Sequence, residues 1–323
     1  MQSRVSLIIP SCNDQQALEE LLGSIPDWTK KPAEIIVVDS SQLPFKVSDD
    51  FMVFLSNKNI NLKLIQKDYL YPGHARNIGI REARFDILAF LDTSTHPSRS
   101  WLFDGLKIIE HDNAEGVWGV TTYAADNQKA KIIRAATFGT KPIRTFPGSI
   151  LKKHVFTQCG LFIEHARAGE DGDWMARAKL HDIKISKGNE LLTYKKLNKQ
   201  KIYDTIRKWF RNYTHSSRLP NAKKQTDLYF YAVSIISIVC AYNWNSVMAS
   251  WETESVYYIP NVTKISAATI ALGYVMIRGI WLPLGKGSLV SFLFPFNFIA
   301  ITIFSALLDI TKISAFIYSK FNK

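Results

Sequence analysis

The residues best suited to chemistry lie around one arginine and one carboxylate in the first third of the chain. Ala75-Arg76-Asn77-Ile78-Gly79 is followed by an apolar run, 87–91, and then by Asp92. A helix that carries a guanidinium is thus predicted to lead into a buried strand that ends on a carboxylate. In mostly parallel sheets, ligands bind at such carboxyl-terminal strand ends. This pair would suit a ligand that contains a diphosphate, with or without a metal ion.

Alternating strands and helices are predicted to position these groups. Short apolar runs predict buried strands, and apolar residues at helical spacing predict the helices between them. The predicted strands are 5–9, 34–38, 62–66, 87–91, 117–123 and 149–152, and the predicted helices are 15–24, 73–84, 103–110 and 174–180. Continuously apolar strands that alternate with helices predict an α/β fold, with a mostly parallel sheet and helices on both faces.

Two further strand ends carry polar residues that could bind a nucleoside. The first strand runs into Pro10-Ser11-Cys12-Asn13-Asp14, where a turn into the next helix leaves backbone N–H groups free. The second strand ends on Asp39, whose carboxylate could accept a hydrogen bond from a base or a ribose hydroxyl. A helix cap is an equally good interpretation of Asp39 when it is taken alone.

The distribution of charge favours a membrane surface. The net charge is +12, and the segment 195–224 contains ten Lys and Arg residues but a single acid, Asp204. Such a segment can attract nucleic acid, a membrane or an anionic substrate. It lies directly before the first of three apolar runs, which favours a membrane over nucleic acid, with a solvated linker as the alternative. Three cysteines without disulfide or metal spacing fit a reducing compartment.

The last third of the chain is predicted to contain about three transmembrane helices. Three apolar runs near bilayer length stand at 228–247, 265–282 and 289–308, although buried helices of a soluble core are an alternative. Arg278 within the second run would face a bundle interior, snorkel or meet a lipid phosphate. The positive-inside rule places the N-terminal domain in the cytoplasm. Three spans would then leave the basic C-terminal tail outside, against the rule, unless one run is interfacial or re-entrant.

These pieces, in this order, resemble the family 2 glycosyltransferases with the Rossmann-like GT-A fold over roughly residues 4–215. Those enzymes typically have Pro-Thr-Tyr-Asn-Glu after the first strand and Val-Val-Asp-Asp-Gly-Ser at the end of the second. The counterparts here are 10–14 and 37–41. The family's Ala-Arg-Asn-x-Gly stands at 75–79, its Phe-Leu-Asp-x-Asp at 90–94 and its later Glu-Asp pair at 170–171. Five such motifs in the right order are strongly specific.

The resemblance implies how a nucleotide-sugar donor would be held. Asp39 would hold its base, and Pro10, Ser11 and Asp14 would line the nucleoside. The family often closes over the diphosphate with a basic and aromatic segment that follows the Glu-Asp pair. The candidates for that contact in this chain are Arg207, Lys208 and Arg211. A membrane-bound amphipathic helix over the same residues is an alternative, and the two interpretations are compatible.

The resemblance also implies roles at the reacting centre. Arg76, with Asn77 beside it, would contact the diphosphate or fix the Asp92 loop. Asp92 would bind a bridging divalent cation, Mg²⁺ or Mn²⁺, or the donor ribose. Asp171 would be the general base for the acceptor, with support from Glu170.

One departure from the family pattern concerns the metal. Ser94 replaces the second Asp of the DxD metal motif, which leaves metal dependence open. His215 could be a further ligand and would partly offset the missing carboxylate. Ser94 also favours an alternative function, a non-catalytic nucleotide-sugar-binding scaffold of a membrane glycan-assembly complex.

The expected protein is an inverting, membrane-anchored glycosyltransferase of cell-envelope polysaccharide or glycolipid synthesis. Its predicted parts are a GT-A domain over 1–200, a basic amphipathic juxtamembrane segment over 201–226 and a transmembrane region over 227–323. The catalytic domain would lie on the cytoplasmic side, with the bacterial inner membrane as the expected location. The acceptor would be a hydroxyl or a phosphate, with a polyprenyl phosphate or a lipid-linked oligosaccharide as the expected carrier. A soluble α/β enzyme with a helical cap is a further alternative.

Overall fold

The computed structural model describes residues 3–221 and 227–321, and its N-terminal part is an α/β domain. The strands are β1 (Val5–Ser11), β2 (Glu34–Asp39), β3 (Asn61–Gln66), β4 (Ile87–Phe90), β5 (Thr95–Pro97), β6 (Gly116–Tyr123), β7 (Ile143–Lys152) and β8 (Ile185–Tyr194). The helices of this domain are α1 (Gln15–Ser24), α2 (Asp49–Asn57), α3 (Pro72–Glu82), α4 (Trp101–His111), α5 (Gln128–Ala136), α6 (Val155–Cys159) and α7 (Glu170–Leu180). The helices that follow are α8 (Ile202–Ser216), α9 (Asp227–Ala249), α10 (Val262–Tyr274), α11 (Leu282–Gly285), α12 (Val290–Leu293) and α13 (Asn297–Phe321).

The strands form one sheet in the order β3-β2-β1-β4-β7-β6-β8-β5. β1 pairs in parallel with β2 and β4, and β2 pairs in parallel with β3. β7 is antiparallel to β4 and β6, β5 is antiparallel to β8, and β6 is parallel to β8. The carboxyl ends of β1, β2 and β4 therefore meet at one edge of the sheet, where Asp39 ends β2 and Asp92 follows β4.

Helices cover both faces of this sheet. α1 and α4 pack on one face through buried side chains such as Leu21 and Trp101. α3, α6 and α7 pack on the other face through Ile80, Phe156 and Trp174. Each fully buried aliphatic or aromatic side chain of this kind contributes roughly 1.5–3 kcal/mol relative to an exposed one. The predicted α/β fold, mostly parallel with helices on both faces, is confirmed.

All predicted strands and helices of this domain are present. The largest difference is in β7, predicted from 149 and observed from Ile143. The apolar patterns do not predict β5, β8, α2, α5 and α6. β5 and α6 are only three and five residues long, and α5 carries three basic residues within nine, so the apolar pattern is short or diluted in them.

The basic segment contains α8, an amphipathic helix at the predicted place. Its aromatic face packs against α13, where the Phe210 ring lies 5.7 Å from that of Tyr318. Directly after α8, Ser217 Oγ donates a hydrogen bond to Ser319 Oγ at 2.9 Å. α8 is therefore fastened to α13 through this face. Lys223 and Lys224 of the basic segment lie outside the described residues.

Three helical stretches of the described chain are long and apolar enough to cross a membrane, judged by length and composition. They are Tyr231–Ala249, Val262–Gly285 and Asn297–Phe321. The second includes α10, a π-helical segment (Val275–Trp281) and α11. The third predicted run, 289–308, is wrong as a single helix, because α12 ends at Leu293 and α13 begins only at Asn297. Pro295 lies in the break, and proline lacks the N–H that a continuous helix needs.

After α9 and α10, the chain returns to the α/β domain. α9 and α10 form a hairpin in which Asn245 Nδ2 donates to the Ile259 carbonyl at 2.8 Å and Ile259 N donates to Asn245 Oδ1 at 2.9 Å. Beyond α11, the Lys286 carbonyl accepts hydrogen bonds from Thr140 N at 3.0 Å and Lys141 N at 3.1 Å, in the loop between α5 and β7. α13 then packs along α5 and α8. The far end of the second apolar stretch is thus attached to the α/β domain.

Candidate active site

Arg76 lies at the centre of a cluster of carboxylates beside the carboxyl-terminal edge of the sheet. Its Nη2 is 2.9 Å from Asp92 Oδ1, and its Nη1 is 2.8 Å from Glu170 Oε1. The guanidinium carbon is 5.4 Å from the ring centre of Phe146 and 5.6 Å from that of Phe162. Arg76 is only 3% exposed. Its pair with Glu170 is therefore shielded from water. Opposite charges attract each other more strongly in such surroundings than in water.

The Ala-Arg-Asn-x-Gly motif fixes the position of this arginine. Gly79 packs on β1, where a Cβ would come within 2.4 Å of Ile8 Cγ2, so glycine lets α3 approach the sheet closely. Asn77 Nδ2 donates to the Phe162 carbonyl at 2.9 Å, and Phe162 N donates to Asn77 Oδ1 at 2.9 Å. The donor contact expected of Asn77 is not supported, because this side chain is buried and its amide is used to hold the Phe162 backbone.

Helix α7 begins with Glu170 and Asp171. Gly169, directly before them, lets the start of α7 approach α8 closely. Gly169 has φ of 89°, and a Cβ there would lie 2.8 Å from Ser216 Cβ. Glu170 is buried against Arg76, whereas Asp171 is half-buried and its Oδ1 accepts a hydrogen bond from Gly172 N at 2.7 Å. Both carboxylates lie in the first turn of α7, where the helix dipole stabilises negative charge. Asp171 is the more accessible of the two.

The pKa shifts of this cluster reflect burial and mutual attraction. Burial lowers the pKa of Arg76, but Asp92, Glu170 and Asp171 together raise it above that of an ordinary arginine. Burial raises the pKa of Glu170; Arg76 opposes this shift and Asp171 adds to it. These four predicted site residues therefore lie in one electrostatic cluster, which we call the Arg76 cluster.

Asp39 organises the loop after β2. Its Oδ1 accepts a hydrogen bond from Ser41 Oγ at 2.6 Å, and its Oδ2 accepts one from Phe45 N at 3.0 Å. It pairs with Ser11 across the parallel strands and is 3% exposed. The alternative role as a helix cap is wrong, since Ser48 caps α2. The expected contact with a base stays a prediction, for an acid whose two oxygens already accept hydrogen bonds within its own loop.

The loop after β1 is tied to the loop that contains Asp92. Thr93 Oγ1 donates to Asp14 Oδ2 at 2.6 Å, and the same carboxylate pairs with Lys196. Pro10 is half-buried at the start of this loop. The expected nucleoside-lining roles of these residues stay predictions. What the structure adds is that Asp14 couples the first loop to the Asp92 loop.

α8 brings cations to the same region. Arg207, Lys208 and Arg211 are all exposed on this helix. Partial desolvation lowers the pKa of Lys208, as do Lys196 and Arg211, whereas the nearby Asp92 carboxylate acts in the opposite direction. Lys208 and Asp92 are therefore close enough to interact electrostatically. The diphosphate contacts of all three cations stay predictions.

His215 has surroundings unlike those expected of a metal ligand. Burial lowers the pKa of its imidazole, and Arg218, Arg167 and Arg211 lower it further. These neighbours are cations, and they would repel a metal ion. Across residues 3–221 and 227–321, no group of three or more His, Cys, Asp and Glu side chains comes together to hold a metal. The ligand role of His215 thus gains no support from its environment.

Asp92 is better suited than His215 to bind a cation, provided that a substrate supplies further ligands. Only its Oδ1 takes part in the pair with Arg76, and 38% of its side chain is exposed. Mg²⁺ is commonly held by one or two carboxylates together with substrate phosphates and water, and Mn²⁺ also prefers carboxylate oxygens. The side chains present therefore fit a cation that is completed by a diphosphate, and do not fit one held by the protein alone.

Two tyrosines beside the Arg76 cluster are not singled out by the sequence patterns. Tyr123 ends β6 and Tyr194 ends β8, and the two pair in register with ring centres 5.2 Å apart. Burial raises the pKa of Tyr194 to about 12, with contributions from Asp92 and Asp14. Burial also raises the pKa of Tyr123, with smaller contributions that include Asp171. The sequence pattern predicts the end of β6 at Tyr123, but the contact between Tyr123 and Tyr194 depends on pairing between strands that are distant in the sequence.

Comparison with known proteins connects the N-terminal domain to a large family. The family model described as glycosyl transferase family 2 matches residues 6–165. Glycosyltransferase AglE of Haloferax volcanii is 27% identical over 190 residues, which cover 54% of this chain and 60% of AglE. An uncharacterised glycosyltransferase of Rickettsia conorii is 27% identical over 181 residues, which cover 52% of this chain and 29% of that protein. The chain thus spans less than two thirds of the length of these relatives.

A solved structure shows the same fold. The mannosyltransferase PcManGT of Pyrobaculum calidifontis, in complex with GDP-Man and Mn²⁺, superposes with a TM-score of 0.54 at 15% sequence identity. The superposition covers 99% of this chain and 88% of that protein. The mixed sheet with helices on both faces is therefore a GT-A fold, followed in this chain by helices apolar enough to cross a membrane.

Proposed function

We propose that this chain, whose residues 6–165 match the glycosyl transferase family 2 model, transfers a sugar from a nucleotide-sugar donor to an acceptor hydroxyl at the Arg76 cluster. The observation that carries this proposal is a buried guanidinium between Asp92 and Glu170, with the half-buried Asp171 beside them. Sugar transfer from a nucleoside diphosphate needs charge stabilisation at the leaving group and a base at the acceptor. Asp92 and Asp171 can serve these two needs.

On the donor side, Arg76 acts by holding the Asp92 loop in place. Both of its terminal nitrogens are paired with carboxylates and the side chain is buried, which favours this role over direct contact with the diphosphate. Asp92 would hold a Mg²⁺ or Mn²⁺ ion against the diphosphate, with Ser94 offering only a hydroxyl nearby in sequence. A bound ion supplies positive charge that stabilises the departing diphosphate. The Mn²⁺ in the PcManGT complex is consistent with this assignment.

On the acceptor side, Asp171 would take the proton from the attacking hydroxyl. The hydroxyl oxygen forms a bond to the anomeric carbon while the bond from that carbon to the diphosphate oxygen breaks. A single base with direct displacement inverts the configuration at this carbon. Glu170 supports the arrangement by pairing with Arg76, since its burial makes it inaccessible as a base.

The proposal is tested by measuring sugar transfer and nucleotide release from a panel of nucleotide sugars, with purified protein. Replacing Asp171 by Asn should lower the rate by about 10²–10⁴-fold, as expected for loss of a general base. Asp173→Asn is the matched control: it lies in the same helical turn, but its carboxylate binds Arg177 and Asn221. It should keep the wild-type rate per folded molecule. If Asp171→Asn is as active as wild type, or if no donor is ever cleaved, a non-catalytic binding scaffold becomes the better account.

We further propose that the membrane is crossed only twice, by α9 and by the stretch from α10 to α11. The chain leaves the α/β domain before α9, turns between α9 and α10, and is attached to the α/β domain again at Lys286. α13 packs on α5 and α8, so it would lie along the catalytic domain at the membrane surface. Two spans return the basic tail to the cytoplasmic side and agree with the positive-inside rule.

This topology is tested by cysteine labelling in a variant that lacks Cys12, Cys159 and Cys240. A membrane-impermeant thiol reagent added to intact cells should label Ser255→Cys, in the loop between the two spans. Lys320→Cys, near the end of α13, should be labelled only after the membrane is opened. Labelling of both positions in intact cells would instead support three spans.

A further inference from the structure

A cavity of about 250 Å³ lies between the α/β domain and α8. Its walls come from the ends of β6 and β8, from α5, from the turn after β8 and from α8. The lining residues are Tyr123, Ile133, Phe138, Tyr194, Leu197, Gln200, Thr205, Lys208, Trp209, Asn212 and Tyr213. The predicted donor-site residues, apart from Lys208, are not among them.

The chemistry of this wall is aromatic and cationic. Five of its side chains carry aromatic rings, and those of Tyr123 and Phe138 stack with centres 3.9 Å apart. Lys208 supplies the positive charge, and no Asp or Glu is among the lining residues. Part of the exposed surface of Lys208 lines the cavity. Partial desolvation and the neighbouring cations Lys196 and Arg211 disfavour the charge on its ammonium group. An anionic group attached to an apolar or ring-shaped body would complement such a wall.

The wall of the cavity packs against α13. Phe304 and Leu308 of α13 belong to the same apolar cluster as Leu197 and Ile133 of the wall. Lys312, one further turn along α13, places its ammonium 5.4 Å from the ring centre of Trp209 and 5.5 Å from that of Tyr213. Tyr123 packs against the same apolar cluster, and the charges of Asp171 and Asp92 contribute to raising the pKa of its hydroxyl. The cavity thus lies within electrostatic range of the reacting carboxylates and beside a helix that is apolar enough for a membrane.

We propose that this cavity binds the polar end of the acceptor, and that the acceptor is a lipid that carries a phosphate. The phosphate pairs with Lys208, the groups next to it lie against the aromatic rings, and the lipid chain leaves along α13. This assignment rests on the proposed sugar transfer. It assigns Lys208 to the phosphate of the acceptor, whereas the family resemblance assigns this residue to the diphosphate of the donor.

The test measures binding to the purified full chain in detergent, without donor. Farnesyl phosphate is the probe, and farnesol is the matched lipid without the charge. Farnesyl phosphate should bind at least about tenfold more tightly than farnesol, as expected for one charge-assisted hydrogen bond. Lys208→Gln should remove that difference, and Lys208→Arg should retain it.

Lys201→Gln is the matched control for Lys208→Gln. It removes the same charge at the start of α8. Lys201 is exposed, as Lys208 is, but it is not among the cavity-lining residues. It should leave the affinity for farnesyl phosphate unchanged. Gln200→Trp, which places a large side chain in the cavity without changing its charge, should weaken both lipids. This variant keeps the test decisive if Lys208→Gln does not fold.

Three results would overturn this inference. They are equal affinity for farnesyl phosphate and farnesol, equal losses in Lys208→Gln and Lys201→Gln, and displacement of farnesyl phosphate by a nucleoside diphosphate alone. The last would return Lys208 to the donor. A chain that binds farnesyl phosphate in this way but transfers no sugar contradicts only the proposed function. A chain that transfers sugar but does not discriminate the two lipids contradicts only the acceptor assignment.

Discussion

Two arginines of the described residues, Arg76 and Arg278, form ion pairs in surroundings that are opposite in charge. Arg76, in the GT-A domain, pairs with Asp92 and Glu170 and lies near Asp171. Arg278, in the π-helical segment, pairs with the single carboxylate of Asp309 on α13, with Nε at 2.7 Å from Oδ2. Lys312 approaches the same carboxylate at 3.4 Å, and Tyr274 donates a hydrogen bond to it at 2.9 Å.

The two clusters differ in the sign of the charge that is present only once: a cation at Arg76 and a carboxylate at Asp309. We call this single charge the minority charge. One guanidinium faces several carboxylates at Arg76, so negative charge is left over to bind a cation or accept a proton. At Asp309 one carboxylate is shared by two cations, and the group fastens the second apolar stretch to α13. The first cluster is therefore suited to chemistry and the second to holding helices together. In both clusters, removal of the minority charge should be the most damaging change.

The largest effect is expected at Arg76. Arg76→Gln leaves Asp92, Glu170 and Asp171 near one another without their cation, and should lower the free energy of unfolding by about 3–5 kcal/mol. Glu170→Gln leaves Arg76 paired with Asp92 and should cost clearly less. Denaturant or thermal unfolding of the full chain in detergent measures both changes. A Glu170→Gln protein less stable than Arg76→Gln would contradict the minority-charge explanation.

A smaller effect of the same kind is expected at Asp309. Asp309→Asn leaves Arg278 and Lys312 as two neighbouring cations, and should cost about 1.5–3 kcal/mol, the range for hydrogen bonds to charged groups. Arg278→Gln keeps the contact between Asp309 and Lys312 and should cost less. The same unfolding measurement decides between them. Should the two substitutions have equal effects, Lys312 would have no part in neutralising Asp309.

The smallest effect concerns pH and Lys208, which lines the cavity. Partial desolvation, Lys196 and Arg211 lower its pKa below the ordinary value of 10.5, and Asp92 only partly opposes them. The ammonium is charged below this lowered pKa and neutral above it. The affinity for farnesyl phosphate should therefore fall as the pH rises, and should begin to fall well below pH 10.5. The pKa of Tyr194 is raised to about 12, so this tyrosine stays neutral over that range.

Lys208→Arg is the control for this pH dependence, because arginine keeps its charge over the whole range. The wild-type decrease should be absent in this variant. An identical decrease in wild type and Lys208→Arg would assign the titration to another group, and would remove Lys208 from the phosphate contact.

Much of the Arg76 cluster could be predicted because its motifs follow local rules. Arg76 and Gly79 are three residues apart on one helix, so one face of α3 carries both the guanidinium and the close contact with Ile8. Asp92 follows an apolar strand, and parallel pairing then places it beside the other strand ends. Asn77 shows the limit of this reasoning, since only the fold reveals that its amide holds the Phe162 backbone.

The cavity and the ion-pair group around Asp309 could not be predicted, because they depend on contacts between segments that are distant in the sequence. Tyr123 and Tyr194 meet only through the register of β6 and β8. The sequence left three possibilities open for Arg278, and the structure selects the bundle interior through Asp309, which lies 31 residues further on. The third apolar run was misplaced for a local reason, the interruption between α12 and α13 at Pro295.

The most direct test of the central claim is donor binding at the Arg76 cluster. Thermal unfolding of the purified full chain is measured with UDP, GDP and other nucleoside diphosphates, with and without Mn²⁺. At a concentration one hundred times its dissociation constant, the correct nucleotide should stabilise the protein by about 2.7 kcal/mol. Asp92→Asn should lose the part of this stabilisation that depends on Mn²⁺. If no nucleoside diphosphate stabilises the wild-type protein, or if Asp92→Asn responds as wild type does, the donor does not bind at this cluster.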